Sequence, residues 1–308
     1  MSFDRPFQIA SPTGAQLNTR LQNPAGAPRA IVHINHGLAE HSARYATFAN
    51  ALSASGYAVI AHDHRGHGQT KAPDGPRGVF AANGQGVRLV LADCVAVQDF
   101  ARAEFRDVPV IMFGHSMGGL ITMNYTLHYP DRLVGAAVWN SNFDGGLLGR
   151  TAQLILAIEK MRLGSDVPSR MLPKLTFQDW AKKIRERRTD FDWLSRIPEQ
   201  VDAYIEDPDC GWDASVSMWQ DVFRLIFDGG DISFARSATK ALPFLLLGGG
   251  ADPATFNGTA VEKHAARMRN AGFENVQMTV YPKARHETLN DLDAAQATQD
   301  FIKWADAL

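Results

Sequence analysis

Apolar residues in this chain follow two patterns. Short apolar-rich runs at Ala30–Asn35, Tyr57–Ala61, Val108–Phe113, Val134–Trp139, Leu242–Leu247 and Val276–Tyr281 predict strands of a mainly parallel sheet, buried on both faces. Between them, apolar positions recur at helical intervals over Ala43–Gly56, over Asn83–Phe105, over Leu120–His128 and from about Asp291 to Leu308, with Asn83 placed to cap the second helix. Phe7–Ala10 and Gln16–Leu21 predict an opening hairpin turned at Pro12-Thr13-Gly14. Strands alternating with helices imply an α/β architecture of about eight strands with helices on both faces. The rhythm breaks at Ser141. Residues 141–240 carry helical patterns and no convincing buried strand, so they read as a helical insert between a first core part, 1–140, and a second, 241–308.

Composition narrows the function. With 45% apolar and 21% charged residues over 308 positions, the chain has the makings of a globular core. A net charge of -2 gives no footprint for a nucleic-acid partner. Met1–Ala25 has no apolar run of the signal-peptide kind, and no stretch reaches membrane-spanning length. Cys94 and Cys210 make no metal-type spacing and read as unpaired thiols of a reducing compartment, so the cytoplasm is the expected location. Neither metal nor cofactor is called for.

The chemistry centres on Gly114-His115-Ser116-Met117-Gly118, a Gly-x-Ser-x-Gly between a predicted strand and a predicted helix. That context is a nucleophile elbow, a turn too sharp for side chains at the flanking glycines. A serine hydroxyl needs a histidine to take its proton and a carboxylate to orient that histidine. Asp252, past the Leu242–Leu247 run, and His286, past Val276–Tyr281, follow the serine in the required order. Asp144 is the alternative acid. Backbone amides of Met117 and of Leu38, in the turn His36-Gly37-Leu38, are placed for an oxyanion hole, and His36 braces that turn. His62, His64 and His67 suggest a metal set by count alone; with Arg65, Gly66 and Gly68 they read as a structural loop.

Several segments together resemble the monoacylglycerol lipase and bacterial lysophospholipase group of α/β-hydrolases, the serine-aminopeptidase-like hydrolases. They are His36–Tyr45, Asp63-His64-Arg65-Gly66-His67-Gly68, the elbow, Gly249–Pro253, and Tyr281–Glu287 with Leu289-Asn290. The resemblance implies an α/β-hydrolase fold, with Ser116 as nucleophile, Asp252 as acid, His286 as base, the Leu38 and Met117 amides as oxyanion hole, and 141–240 as a cap over the site. It implies a carboxylester hydrolase acting on monoacylglycerol, lysophospholipid or similar small acyl esters. An aminopeptidase-type amide hydrolase, anchoring a free amine on Glu40 or Asp144, is the alternative, and a catalytically silent ligand binder a more distant one. Within the insert, Leu147, Leu148, Thr151, Leu154, Ile155, Ile158 and Met161 recur on one helical face. That face either lines an acyl channel or touches lipid transiently, or it packs on the core. Lys182–Arg188 reads as a solvated helix face, and Phe191, Trp193, Trp212 and Trp219 as aromatic surface for a pocket.

Overall fold

A computed structural model describes residues 2–81 and 84–308, so the proposed cap residue Asn83 lies outside the described residues. One sheet carries eight strands: β1 (Phe7–Ala10), β2 (Gln16–Gln22), β3 (Ile31–Asn35), β4 (Ala58–His62), β5 (Val110–His115), β6 (Gly135–Trp139), β7 (Pro243–Gly249) and β8 (Asn275–Tyr281). Their spatial order is β1-β2-β4-β3-β5-β6-β7-β8. The opening hairpin is antiparallel and β2 runs antiparallel to β4. All remaining neighbours are parallel. The chain steps outward from β3 to β4, then returns to place β5 on the other side of β3. Such a reversal leaves a crevice beyond the carboxyl ends of β3 and β5.

Residues alternate faces along each strand. Met112, Ala136, Val138, Phe244 and Leu246 pack with the helices α2 (Gly86–Glu104), α3 (Met117–His128) and α10 (Thr259–Asn270). Ile111, Phe113, Ala137, Trp139, Leu245 and Leu247 pack with α1 (Ala46–Ala54) and α11 (Ala294–Ala305). Burial on both faces explains why these strands read as apolar runs. The first predicted helix is shorter than its apolar pattern because the 3₁₀ turn Ser42–Tyr45 takes up its start, and the last, α11, begins three residues later than its pattern and ends at Ala305.

Between β6 and β7 lie six helices: α4 (Gly146–Leu163), α5 (Leu172–Leu175), α6 (Phe177–Lys182), α7 (Pro198–Glu206), α8 (Val216–Gly230) and α9 (Ser237–Ala241). Ser215 starts α8 by accepting the Met218 amide at 3.0 Å, a serine cap of the kind that satisfies an orphan first-turn donor. Val222, Phe223 and Leu225 of α8 then join the core with α3. Residues past Lys182 do not continue the helix; Lys183, Arg187 and Arg188 pair with Asp179, Asp190 and Asp202 on an exposed turn. The basic run is therefore solvated, but not as a helix face.

One buried ion pair anchors the long loop after β4. Arg65 is fully enclosed; its Nε donates to Asp93 at 2.9 Å and its Nη1 to the Phe80 carbonyl at 2.9 Å. Asp93 accepts in addition from Ser11 and Thr13, each at 2.6 Å. Removing one partner of such a pair strands a buried charge, so Arg65→Met is expected to cost about 3–5 kcal/mol, read as a lower urea midpoint at unchanged slope. Adding Asp93→Leu should recover part of that loss.

Candidate active site

Ser116 occupies the turn between β5 and α3 at φ 55° and ψ -120°, a strained conformation for a residue with a side chain. Its neighbours fit only as glycine: a Cβ on Gly114 would lie 2.1 Å from the Gly118 carbonyl, and one on Gly118 would lie 2.0 Å from that of Asn35 on β3. The backbone is pinned by the Ser116 amide donating to Trp139 at 2.9 Å and by the Ser141 hydroxyl donating to the Ser116 carbonyl at 2.8 Å. The hydroxyl is thereby held above the carboxyl end of the sheet.

Asp252 and His286, on the loops after β7 and β8, meet there. His286 Nε2 lies 2.9 Å from Ser116 Oγ, and His286 Nδ1 lies 3.1 and 3.0 Å from the two oxygens of Asp252. Burial works against the Asp252 carboxylate, but His286, Asn140 at 3.2 Å and Thr255 at 2.8 Å together hold the group below the ordinary carboxylate range. Asp144 is exposed, and His286 is not among its partners. The amides of Leu38 and Met117 line the same cavity and have no protein acceptor among the described residues.

Three contributors were not read from the sequence. Asn140, at φ 48° directly after β6, donates to Asp252 and accepts from Thr288 at 3.0 Å. Thr255 sits in a 3₁₀ turn that Asp252 itself caps through the Ala254 amide at 2.9 Å. Glu40, considered above as an amine anchor, is already engaged. Its carboxylate accepts from the Gly37 amide at 2.5 Å, from Tyr45 at 2.9 Å and from Arg44 at 2.8 Å, and His115 Nδ1 lies 3.4 Å away. Arg44 also grips Glu287, beside His286, at 2.5 and 2.7 Å. Burial alone would lower the His115 imidazole, yet the Glu40 carboxylate keeps it above its ordinary value.

Residues of 141–240 wall the space above this floor. A cavity of ≈ 820 Å³ rises from Ser116 and His286 between walls of Leu172, Phe177, Trp180, Trp193, Trp219, Val222, Phe223 and Ile226. Phe191, Trp193 and Trp219 reach it, whereas Trp212 packs edge-on against His67. The insert also bonds to the loop that carries the histidine. The His286 and Glu287 amides donate to Trp193 and Leu194 at 3.2 and 2.8 Å, and Arg285 Nη1 donates to Asp192 and Ser195 at 2.5 and 2.8 Å. Apart from Ile155, the α4 stripe does not pack on the core. Gly149, Ala152, Leu156 and Glu159 form the buried face, while Leu147, Leu148 and Met161 are 81%, 77% and 80% exposed. Ile155 and the start of α4 still line the cavity.

The side chains of His36, His62, His64 and His67 are buried. His36 braces the Gly37 turn by bonding its carbonyl at 2.8 Å and accepting the His64 amide at 2.9 Å. Donor atoms of His62, His64 and Cys94 lie within 4.8 Å of one another, but the set is sealed from solvent and Cys94 already faces Asn35 at 3.5 Å.

This fold is that of the α/β-hydrolases, with the elbow at the carboxyl edge of a mostly parallel eight-stranded sheet. Residues 26–293 match the family described as serine aminopeptidase, S33, and the chain belongs to that family. It is 28% identical to a monoacylglycerol lipase of Mycolicibacterium smegmatis over 306 residues, covering 94% of this chain and 93% of that one. It is 31% identical to the rat monoglyceride lipase over 253 residues, covering 80% and 74%. A solved carboxyl esterase from Bacillus coagulans superposes with a TM-score of 0.83 at 21% identity, covering 100% and 99%. The chain is an enzyme, a serine hydrolase.

The buried histidines set the acid response. Burial holds His33, His67 and His264 down at about 3 and lowers His36, His62 and His64 as well. The unfolded chain takes up these protons below about pH 6.5 while the folded chain refuses them, so stability is lost as pH falls through that value. His115, raised on folding, acts in a different window: its contribution is full below about pH 6.5 and is lost as pH rises through its folded value. Each uncompensated imidazole contributes up to roughly 1.4 kcal/mol per pH unit. Urea midpoints should fall steeply from pH 6.5 downward; midpoints level to pH 4 would contradict the burial of these rings.

Proposed function

We propose that the chain hydrolyses carboxylic esters of long acyl chains, of the monoacylglycerol or lysophospholipid kind, through a Ser116 acyl-enzyme. The observation that carries this reading is the hydrogen-bonded line Ser116–His286–Asp252 at the floor of an apolar cavity. In this reading residues 141–240 form a cap whose aromatic and aliphatic walls hold the acyl chain. Ser116 Oγ attacks the ester carbonyl as His286 Nε2 takes its proton. Asp252 fixes the Nδ1–H tautomer and stabilises the imidazolium. Negative charge developing on the carbonyl oxygen is met by the Leu38 and Met117 amides. His286 then protonates the departing alcohol, activates a water against the acyl-enzyme and returns the proton to Ser116. The lipase names of the relatives support an ester as substrate. Against an aminopeptidase-type reaction stands Glu40, whose oxygens are taken up by Gly37, Tyr45 and Arg44 and offer nothing to a substrate amine.

The outward stripe on α4 supports brief contact with a lipid surface, since apolar side chains so placed gain by entering an interface. Among the described residues no helix is long and apolar enough to cross a membrane.

A fluorophosphonate probe should label the wild type and not Ser116→Ala; an unlabelled, folded wild type would sink the proposal. Asp252→Asn is expected to lower kcat by roughly 10⁴-fold, while Asp144→Asn stays near the wild type. Across p-nitrophenyl esters kcat/KM should rise with acyl length, and aminoacyl-naphthylamides should be poor substrates. Faster turnover of the naphthylamides would favour the peptidase instead.

Binding to phosphatidylcholine vesicles should weaken at least roughly tenfold in Leu147→Ser/Leu148→Ser, because two leucines no longer enter the interface. Unchanged binding would remove the lipid-contact reading and leave the ester reading intact.

A further inference from the structure

Beside the oxyanion turn, but outside the proposed reaction, three unlike ligand groups converge from the two sides of the cleft. His41 ends the turn that contains Leu38; Asp207 and Cys210 belong to the loop between α7 and α8. One ligand atom from each lies within 4.8 Å of the others. His41 Nε2 is 2.8 Å from Asp207 Oδ2, and Cys210 is a free thiol. We propose that this trio binds a borderline divalent transition metal, zinc being the best fit, and that the ion ties the oxyanion turn to the insert.

The donor set suits such an ion. Imidazole, carboxylate and thiolate are all zinc ligands, and three protein ligands leave a fourth position for water. Tetrahedral bond lengths of about 2.0–2.3 Å put ligand atoms roughly 3.3–3.6 Å apart, so the His41–Asp207 pair opens slightly and the thiol draws in. The loop is held in advance. Asp207 Oδ1 accepts the Asp209 amide at 2.8 Å, the Gly211 amide donates to Ala39 at 3.0 Å, and Arg77 Nη1 grips the Pro208 carbonyl at 2.9 Å. Anchored outer partners of this kind orient metal ligands.

Charge favours a cation as well. Of the nearby cations, Arg44 is already engaged by Glu40 and Glu287, and Arg77 by Asp209. Asp207 is therefore a surplus negative charge beside them. Burial pushes the Cys210 thiol up, with Arg44 working the other way; the bound dication takes the place of the thiol proton, which leaves to solvent. Unlike the sealed His62, His64 and Cys94 set, this one is open to solvent at His41 and Asp207, whose side chains are 14% and 31% exposed.

Cobalt(II), which occupies zinc sites and reports sulfur ligation, is the direct probe. Titrated into reduced, tag-free protein, it should produce a thiolate-to-cobalt charge-transfer band that saturates at one equivalent. Cys94→Ala should keep the band; Cys210→Ser and the part-exposed His41→Gln should lose it, and Asp207→Asn should weaken cobalt affinity at least about tenfold. Zinc at a hundredfold excess over its Kd should displace the cobalt and raise Tm by roughly 3–6 °C in the wild type, with no rise in Cys210→Ser or His41→Gln. No band in the wild type, a band that survives Cys210→Ser or His41→Gln, or one lost in Cys94→Ala overturns the proposal.

Discussion

The buried carboxylate of Glu40 is the interaction on which the arrangement of the site rests. It sits where three strand ends converge and touches something from each. It accepts the Gly37 amide after β3, lies against His115 at the end of β5, and shares Arg44 with Glu287 after β8. Burial alone would keep a carboxyl neutral. The His115 hydrogen bond and the Arg44 charge overcome that and hold Glu40 well below its ordinary value. A charge so placed fixes the distance between the Gly37 turn, the elbow and the loop that carries His286, because each would leave a polar group unpaired if it moved. The glycines of the elbow provide the complementary steric condition, letting α3 start against the Asn35 carbonyl.

Much of this was legible in one dimension. Burial on both faces leaves a run of apolar residues, so the parallel strands announced themselves, and a group just past such a run must emerge at the crevice. Ser116, Asp252 and His286 are all of that kind, which is why order along the chain was enough to bring them together. Asn140 was just as close to a strand end, but an asparagine in a left-handed conformation has no periodicity to betray it. The partners of Glu40 lie as far as 247 positions away, as Glu287 does through Arg44, and no spacing rule reaches that far.

The insert was harder for a different reason. An amphipathic helix records that it has two faces but not which one meets the protein, and on α4 Leu147, Leu148, Leu154, Ile158 and Met161 face out while Gly149 and Ala152 face in with Leu156. Small residues allow close approach to α8, so packing won over apolar bulk. In the same way Lys182–Arg188 carries strong helix formers, yet the chain turns there and pairs its cations with acids from three neighbouring segments. Cys210 shows the limit from the other side: Asp207 and Cys210 look unremarkable until a histidine 166 positions away from Asp207 is folded against them.

The hydrogen bonds from His286 and Glu287 to Trp193 and Leu194 bear on how this family diversifies. Residues 141–240 wall the cavity, and they also splint the backbone of the loop that carries His286. The insert is therefore not a module exchangeable between relatives at its chain boundaries. A transplanted insert has to bring carbonyls at the places of Asp192–Ser195, or the host must re-evolve the loop around it.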